Sequence, residues 1–264
     1  MVSQSLRDCR RALIWWTIGI SAFLSVYVNV YNTVKQNPQV YGQVALDKFP
    51  GPLKDLMGQS LENFSSGVGF LQGAVYQLFV PFLFAACAMG LANRAVAGPE
   101  ENGTLELLVT LPVARARLVL QRFAAMALGL LAVAAVTFVL TWLFAEVNEM
   151  GIPFGNILAA HLGVYLLGLF LGTVTLAAGA ATGRRGVAMA VMGVWAVAGY
   201  MVITIGRNVE AIAWLKWVSP FHYYAEGRPL YEGLPVGDYL VLAGATAVLA
   251  LTAVLSFDRR DVGV

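Results

Sequence analysis

An all-α membrane protein is the fold class this sequence predicts, and three observations carry the prediction. Hydrophobic residues make up 59% of the 264 positions and charged ones 12%, with a mean hydropathy of +0.71, far too apolar for a soluble domain of this size. Six windows contain no Asp, Glu, Lys or Arg: 12–31, 71–91, 123–145, 157–180, 187–206 and 239–257. Each has about the 20 residues a helix needs to cross a hydrocarbon core roughly 30 Å thick. The alternation of a β-barrel is missing, so the chain reads as a single transmembrane domain, 1–264, with six transmembrane helices.

The first window follows Arg7, Arg10 and Arg11. A secretion signal has the same charge order, but this run is too long for a signal core and no small-x-small site follows Tyr31, so it is expected to stay as the first helix. Ser3 to Arg11 is expected to lie along the inner interface as a short elbow. Residues 32–70 mix Pro38, Gly42, Pro50, Gly51, Pro52 and Gly58 with an amphipathic run through Leu53, Leu56, Met57 and Leu61, which predicts a partly helical outer cap. On the second helix Gln72 and Tyr76 lie one turn apart near Pro81, which frees the carbonyl of Gln77. Gln72, Tyr76 and Gln77 are candidates for a substrate path; hydrogen bonds within the bundle are the other reading.

A short acidic loop with Glu146 and Glu149 follows the third helix, and only 181–186 separates the fourth from the fifth, so those two form a tight hairpin around Arg184 and Arg185. Gly168-x-x-x-Gly172 and Gly179-x-x-x-Gly183 allow close helix approach, read as packing within one subunit ahead of a dimer seam. Residues 207–238 crowd Trp214, Trp217, Phe221, His222, Tyr223, Tyr224 and Tyr231 between the last two helices. Such density predicts an aromatic belt at the outer interface, with a re-entrant helix over 209–218 and a hydrogen-bonded structural histidine at 222.

Six crossings put both termini on one side, and the basic residues say which. With the termini inside, the inner segments hold eleven arginines (7, 10, 11, 94, 115, 117, 122, 184, 185, 259 and 260), while the longer outer loops hold six basic residues (Lys35, Lys48, Lys54, Arg207, Lys216 and Arg228). The bias favours N-in, C-in. Topology accounts for the arginines, so the net charge of +2 gives no reason to expect a nucleic-acid partner. Cys9 then lies inside and Cys87 within a helix, which argues against a structural disulfide.

The inner segment 92–122 is the one elaborate loop on that side. Pro99 and Gly103 break the chain before it and Pro112 after it, so Thr104 caps a helix of about two turns with Leu105, Leu108 and Leu111 on one stripe. Gly103 permits a positive φ and Pro112 stiffens the exit. Two readings stand beside each other here: an element that presents a rigid apolar ridge rimmed by Glu100, Glu101 and Glu106 to a partner, or an interfacial connector with solvated carboxylates.

Chemistry within the chain is scarce. No lysine follows a glycine, so there is no Walker A loop, and no Gly-x-Ser-x-Gly elbow or intramembrane carboxylate pair is present. The two histidines, two cysteines and eight methionines do not fall at metal-ligand spacing, and His161 is the only ionisable candidate for a proton relay inside the bundle. No catalytic residue, no metal site and no cofactor are therefore assigned to this chain. Any work it does must be powered elsewhere.

The run Glu100-Glu101-Asn102-Gly103-Thr104-Leu105-Glu106-Leu107-Leu108 through Leu111-Pro112-Val113-Ala114-Arg115 resembles the cytoplasmic motif of type-2 ABC exporter permeases. The resemblance extends to Tyr41 through Leu71, to Ser219-Pro220-Phe221-His222-Tyr223, and to the ending Phe257-Asp258-Arg259-Arg260-Asp261. Gln121-Arg122 departs from the Gly-Lys of that pattern but keeps the charge. The resemblance implies a six-helix permease without an ATPase domain, in which Glu100, Glu101, Gly103, Thr104, Leu105, Glu106, Leu108, Leu111, Pro112 and Arg115 form or flank a coupling helix. That helix would sit in a groove of a separate ABC ATPase subunit, present in two copies and carrying the ATP and magnesium. Arg184 and Arg185 would make a second, smaller coupling contact or serve as topological anchors. The implied complex contains a second permease subunit, identical or homologous, in the plasma or inner membrane of a bacterial cell, and exports a substrate the sequence does not identify. Two other classes stand as alternatives: a non-ABC carrier or channel, and a membrane scaffold of an assembly complex.

Overall fold

The computed structural model describes residues 2–37, 66–95, 97–101, 103, 114–206 and 209–260, and all regular structure among them is helical. Helix α1 spans Val2–Gln36. The elbow expected over Ser3–Arg11 is not a separate element, because nothing between Val2 and Ile18 is glycine or proline and the helix runs unbroken. At 35 residues it is about 50 Å long, well beyond the hydrocarbon thickness. Ile20, Leu24, Tyr31 and Val34 form its buried stripe, and Trp15, Ile18 and Val26 face outward. The expected outer cap around Leu53–Leu61 lies outside the described residues.

The second apolar window is not one regular helix. It opens as α2 (Gly67–Phe70), capped by Ser66, whose Oγ accepts from the Gly69 N–H at 3.1 Å. It then widens into a π-helical turn over Leu71–Tyr76 and resumes as α3 (Phe79–Ala95). The proline explains part of this change. In α pairing Pro81 leaves no N–H for the carbonyl of Gln77, and the irregular turn lies just before that point. The Tyr76 carbonyl accepts the Tyr224 hydroxyl at 2.7 Å. Because the interruption shortens α3 to 17 residues, five helices, not six, are by themselves long and apolar enough to cross a membrane among the described residues.

Those five are α1 and four that follow α4 (Ala97–Glu101): α5 (Arg115–Val147), α6 (Phe154–Thr182), α7 (Arg185–Ile205) and α10 (Val236–Asp258). Helix α6 is the centre of the bundle and packs against α3, α5, α7 and α10. Its glycines set these distances: a Cβ at Gly172 would sit 2.9 Å from Ala88 Cβ, and one at Gly168 3.3 Å from Phe84 Cβ. The Gly168-x-x-x-Gly172 surface is thus filled by α3 of the same chain. Outward faces of α7 and α10 remain apolar, with Val194, Val197, Leu240, Val248 and Leu251 exposed.

Between α7 and α10 lie a 3₁₀ helix (Glu210–Val218), α8 (Pro220–Ala225) and α9 (Pro229–Glu232). The predicted belt divides in two: Trp214 and Trp217 face outward, whereas Phe221, His222 and Tyr224 turn into the bundle. Ser219 directs that turn. Its Oγ accepts from Phe221 N–H at 3.2 Å and donates to the Gly199 carbonyl at 2.8 Å, fixing α8 against α7. His222 is buried, with Nδ1 3.2 Å from Glu226 Oε2.

Candidate functional site

The first turns of α1 and the last turn of α10 lie at the same end of the bundle as α4 and the start of α5, since Cys9 lines a cleft with Arg94 and Arg122, and Arg115 reaches Arg260. This loop end is the candidate site. Its entry differs from the sequence expectation: Pro99 does not break the chain but sits in the first turn of α4, where a missing N–H costs nothing. Gly98 permits the sharp approach, because a Cβ there would lie 2.8 Å from the Asn93 carbonyl oxygen. Gly103 then turns the chain with φ of +67°, its N–H donating to the Glu100 carbonyl at 3.0 Å.

The α6–α7 connection closes in beneath α4. Gly183 caps α6 in the left-handed region, with φ of +68°, and its N–H donates to the Gly179 carbonyl at 2.8 Å. Arg184 is the N-cap of α7, and the Arg185 N–H donates to Glu101 Oε1 at 2.7 Å, so a carboxylate meets the positive end of a helix. Glu100 forms an ion pair with Arg260 at the end of α10. The Arg115 guanidinium, at the first residue of α5, donates from Nη1 to the Arg260 carbonyl at 2.8 Å.

Of the sequence candidates, the structure brings Glu100, Glu101, Gly103, Arg115, Arg184 and Arg185 to one place. Thr104, Leu105, Glu106, Leu108, Leu111 and Pro112 lie outside the described residues. Sequence reasoning missed Arg260 and Gly183 as members of the cluster. Arg260 had a signal in the charged run that ends the last apolar window, and Gly183 was read only for close helix approach.

Gln72, Tyr76 and Gln77 stand elsewhere. Tyr76 is buried at the end of the π turn with its hydroxyl 2.6 Å from His161 Nδ1, and Gln72 is buried too. Tyr239 extends the same polar layer, its hydroxyl donating to the Ala159 carbonyl at 2.9 Å through the space left by Gly163. Among the described residues no group of three or more His, Cys, Asp or Glu could hold a metal ion.

A bundle of apolar helices of this length has the form of a multi-pass membrane protein. The family model for ABC-2 family transporter proteins matches residues 2–262, and the chain belongs to that family. It is accordingly a membrane permease component of an ABC transporter and not the ATPase. A comparison with curated proteins finds no match.

Proposed function

We propose that the chain is the permease subunit of an ATP-driven exporter, orientated N-in and C-in with six crossings, in which the segment 100–115 couples to a separate ATPase subunit. The continuous segment Gly67–Ala95, through its π turn, supplies the sixth crossing. Two permease subunits and two ATPase subunits make the complex, and ATP with magnesium binds in the ATPase. Thr104 to Leu111 acts as the coupling helix, Arg184 and Arg185 make a second, smaller coupling contact, and Gln72, Tyr76 and Gln77 are candidates for the substrate path.

The observation that carries this reading is the gathering of both flanks of the loop, the α6–α7 turn and the end of α10 at one end of the bundle, which is also the end rich in arginine. A push received by the loop there reaches three long helices directly. The test has two arms. Single cysteines at Asn102 and Gly186, in a background without Cys9 and Cys87, should resist an impermeant thiol reagent in intact cells, whereas cysteines at Gln59 and Glu232 should react. Leu108→Asp places an unpaired charge in the groove and should abolish recovery of the complex with the cognate ATPase, while Gly103→Val, which resists φ of +67°, should retain the complex and lower its nucleotide response. Labelling of position 102 from outside, or wild-type assembly and response in both variants, would overturn the reading.

A further inference from the structure

We infer that Arg260 is a positioning residue that clamps both flanks of the coupling loop to the last transmembrane helix, so that α10 and the loop move together. The inference rests on the permease reading above and adds a mechanical part to it. Residues 102–113 are bracketed by Glu100 and Arg115, and each flank reaches Arg260 through a different group. The Glu100 carboxylate takes its guanidinium, and the Arg115 guanidinium takes its main-chain carbonyl at 2.8 Å.

Gly183 forms the floor of this clamp. A Cβ there would run into the Glu100 carboxylate and come within 2.9 Å of Arg260 Nη1, so the left-handed turn both ends α6 and leaves the ion pair its space. Glu101 closes the adjoining side by accepting from the Arg185 N–H. Four helix ends, those of α4, α5, α7 and α10, are therefore joined through groups as far as 160 residues apart in sequence.

Stability alone does not account for the arrangement. Arg260 and Glu100 keep 19% and 23% of their side-chain surface exposed, but Arg260 Nη1 and Glu100 Oε2 are themselves buried without a hydrogen-bond partner among the described residues, and an ion pair that desolvates its charged atoms without pairing all of them contributes little net stability. What such a pair does provide is direction and register, since removing either partner strands the other beside a glycine floor shaped for both.

The test uses the complex with its cognate ATPase in nanodiscs. Gly237, near the start of α10, has open space around its Cα, so Gly237→Cys without Cys9 and Cys87 reports α10 through its maleimide reaction rate before and after ATP, magnesium and vanadate. The wild-type background should change rate with nucleotide; Arg260→Gln, which frees the Glu100 flank and keeps the Arg115 contact to the main-chain carbonyl, should shrink that change about three-fold, and Arg260→Gln with Arg115→Gln about ten-fold, both leaving recovery of the complex intact. Arg260→Lys should retain part of the response, and the exchange Glu100→Arg with Arg260→Glu should restore it, which a merely structural role would not do. A full response in Arg260→Gln, no rescue by the exchange, or no response in the wild-type background would overturn the inference. If the ATPase does not bind the wild-type chain, the permease reading fails, and the clamp is read in the isolated chain by hydrogen exchange. Faster exchange of the Ala97–Glu101 amides in Arg260→Gln then supports the clamp, and equal exchange overturns it.

Discussion

Polar contacts at the loop end are ionic and partly exposed, whereas those around Tyr76 are hydroxyl, imidazole and carbonyl contacts in a buried interior. Glu100 and Arg260 keep about a fifth of their surface in solvent, but Tyr76, His161 and Tyr224 are 1%, 3% and 4% exposed. The contrast follows from what each environment tolerates. Hydrocarbon depth makes a charge expensive, so the buried Tyr76 carbonyl is met by a tyrosine hydroxyl and not by a cation. Beyond that depth water stabilises charges, and ion pairs there can form, loosen and re-form as helix ends shift. The buried layer is suited to hold the π turn, α6 and α8 in one arrangement, and the ionic cluster is suited to transmit a movement.

The largest effect expected from breaking this contrast lies at the shared floor of the clamp. Gly183→Val forces a β-branched residue to φ of +68° and makes the ends of Glu100 and Arg260 swing aside, so about 2 kcal/mol of stability should be lost, chiefly as backbone strain. Fluorescence-detected size exclusion after heating measures this as a lowered midpoint. A midpoint equal to wild type would mean that the turn is not constrained as described.

Tyr76→Phe should cost about 1–2 kcal/mol, because it removes one buried hydrogen-bonding group and leaves His161 Nδ1 with only the Ile157 carbonyl at 3.3 Å. The same thermal assay reads it. Salt then sharpens the comparison. Raising ionic strength from about 0.05 to about 0.5 M should shrink the destabilisation caused by Arg260→Gln by a few tenths of a kcal/mol and leave that of Tyr76→Phe unchanged. Equal salt responses would show that the two regions are not electrostatically distinct. The smallest effect belongs to Gly186→Ala, three residues from the clamp floor but in open space within α7, which should fall within about 0.5 kcal/mol of wild type. A large loss there would mean that the neighbourhood tolerates no change, and would remove the special role of Gly183.

Much of this architecture was legible in the residues themselves. The absence of charge over 123–145, 157–180, 187–206 and 239–257 located α5, α6, α7 and α10, since crossing a membrane depends on the summed transfer preference of one continuous segment. Gly103 in its turn was likewise readable, because positive φ is a local demand. Less local features were not. The π turn over Leu71–Tyr76 escaped a reading based on apolar length, which cannot distinguish α from π pairing, and the elbow expected before α1 failed because short polar runs continue a helix when nothing breaks it.

By itself, then, the sequence determined the all-helical membrane class and the apolar stretches that hold its long helices, because each is a property of neighbouring residues. Tertiary structure alone decided that α6 lies at the centre, that Tyr76 meets His161 at a separation of 85 residues, and that Arg260 meets Glu100 at a separation of 160. The reason is physical: lipid and a neighbouring helix are nearly equal solvents for an apolar side chain, so hydropathy leaves facing undecided, and only close packing at glycines such as Gly168, Gly172 and Gly183 selects which distant groups come within bonding distance.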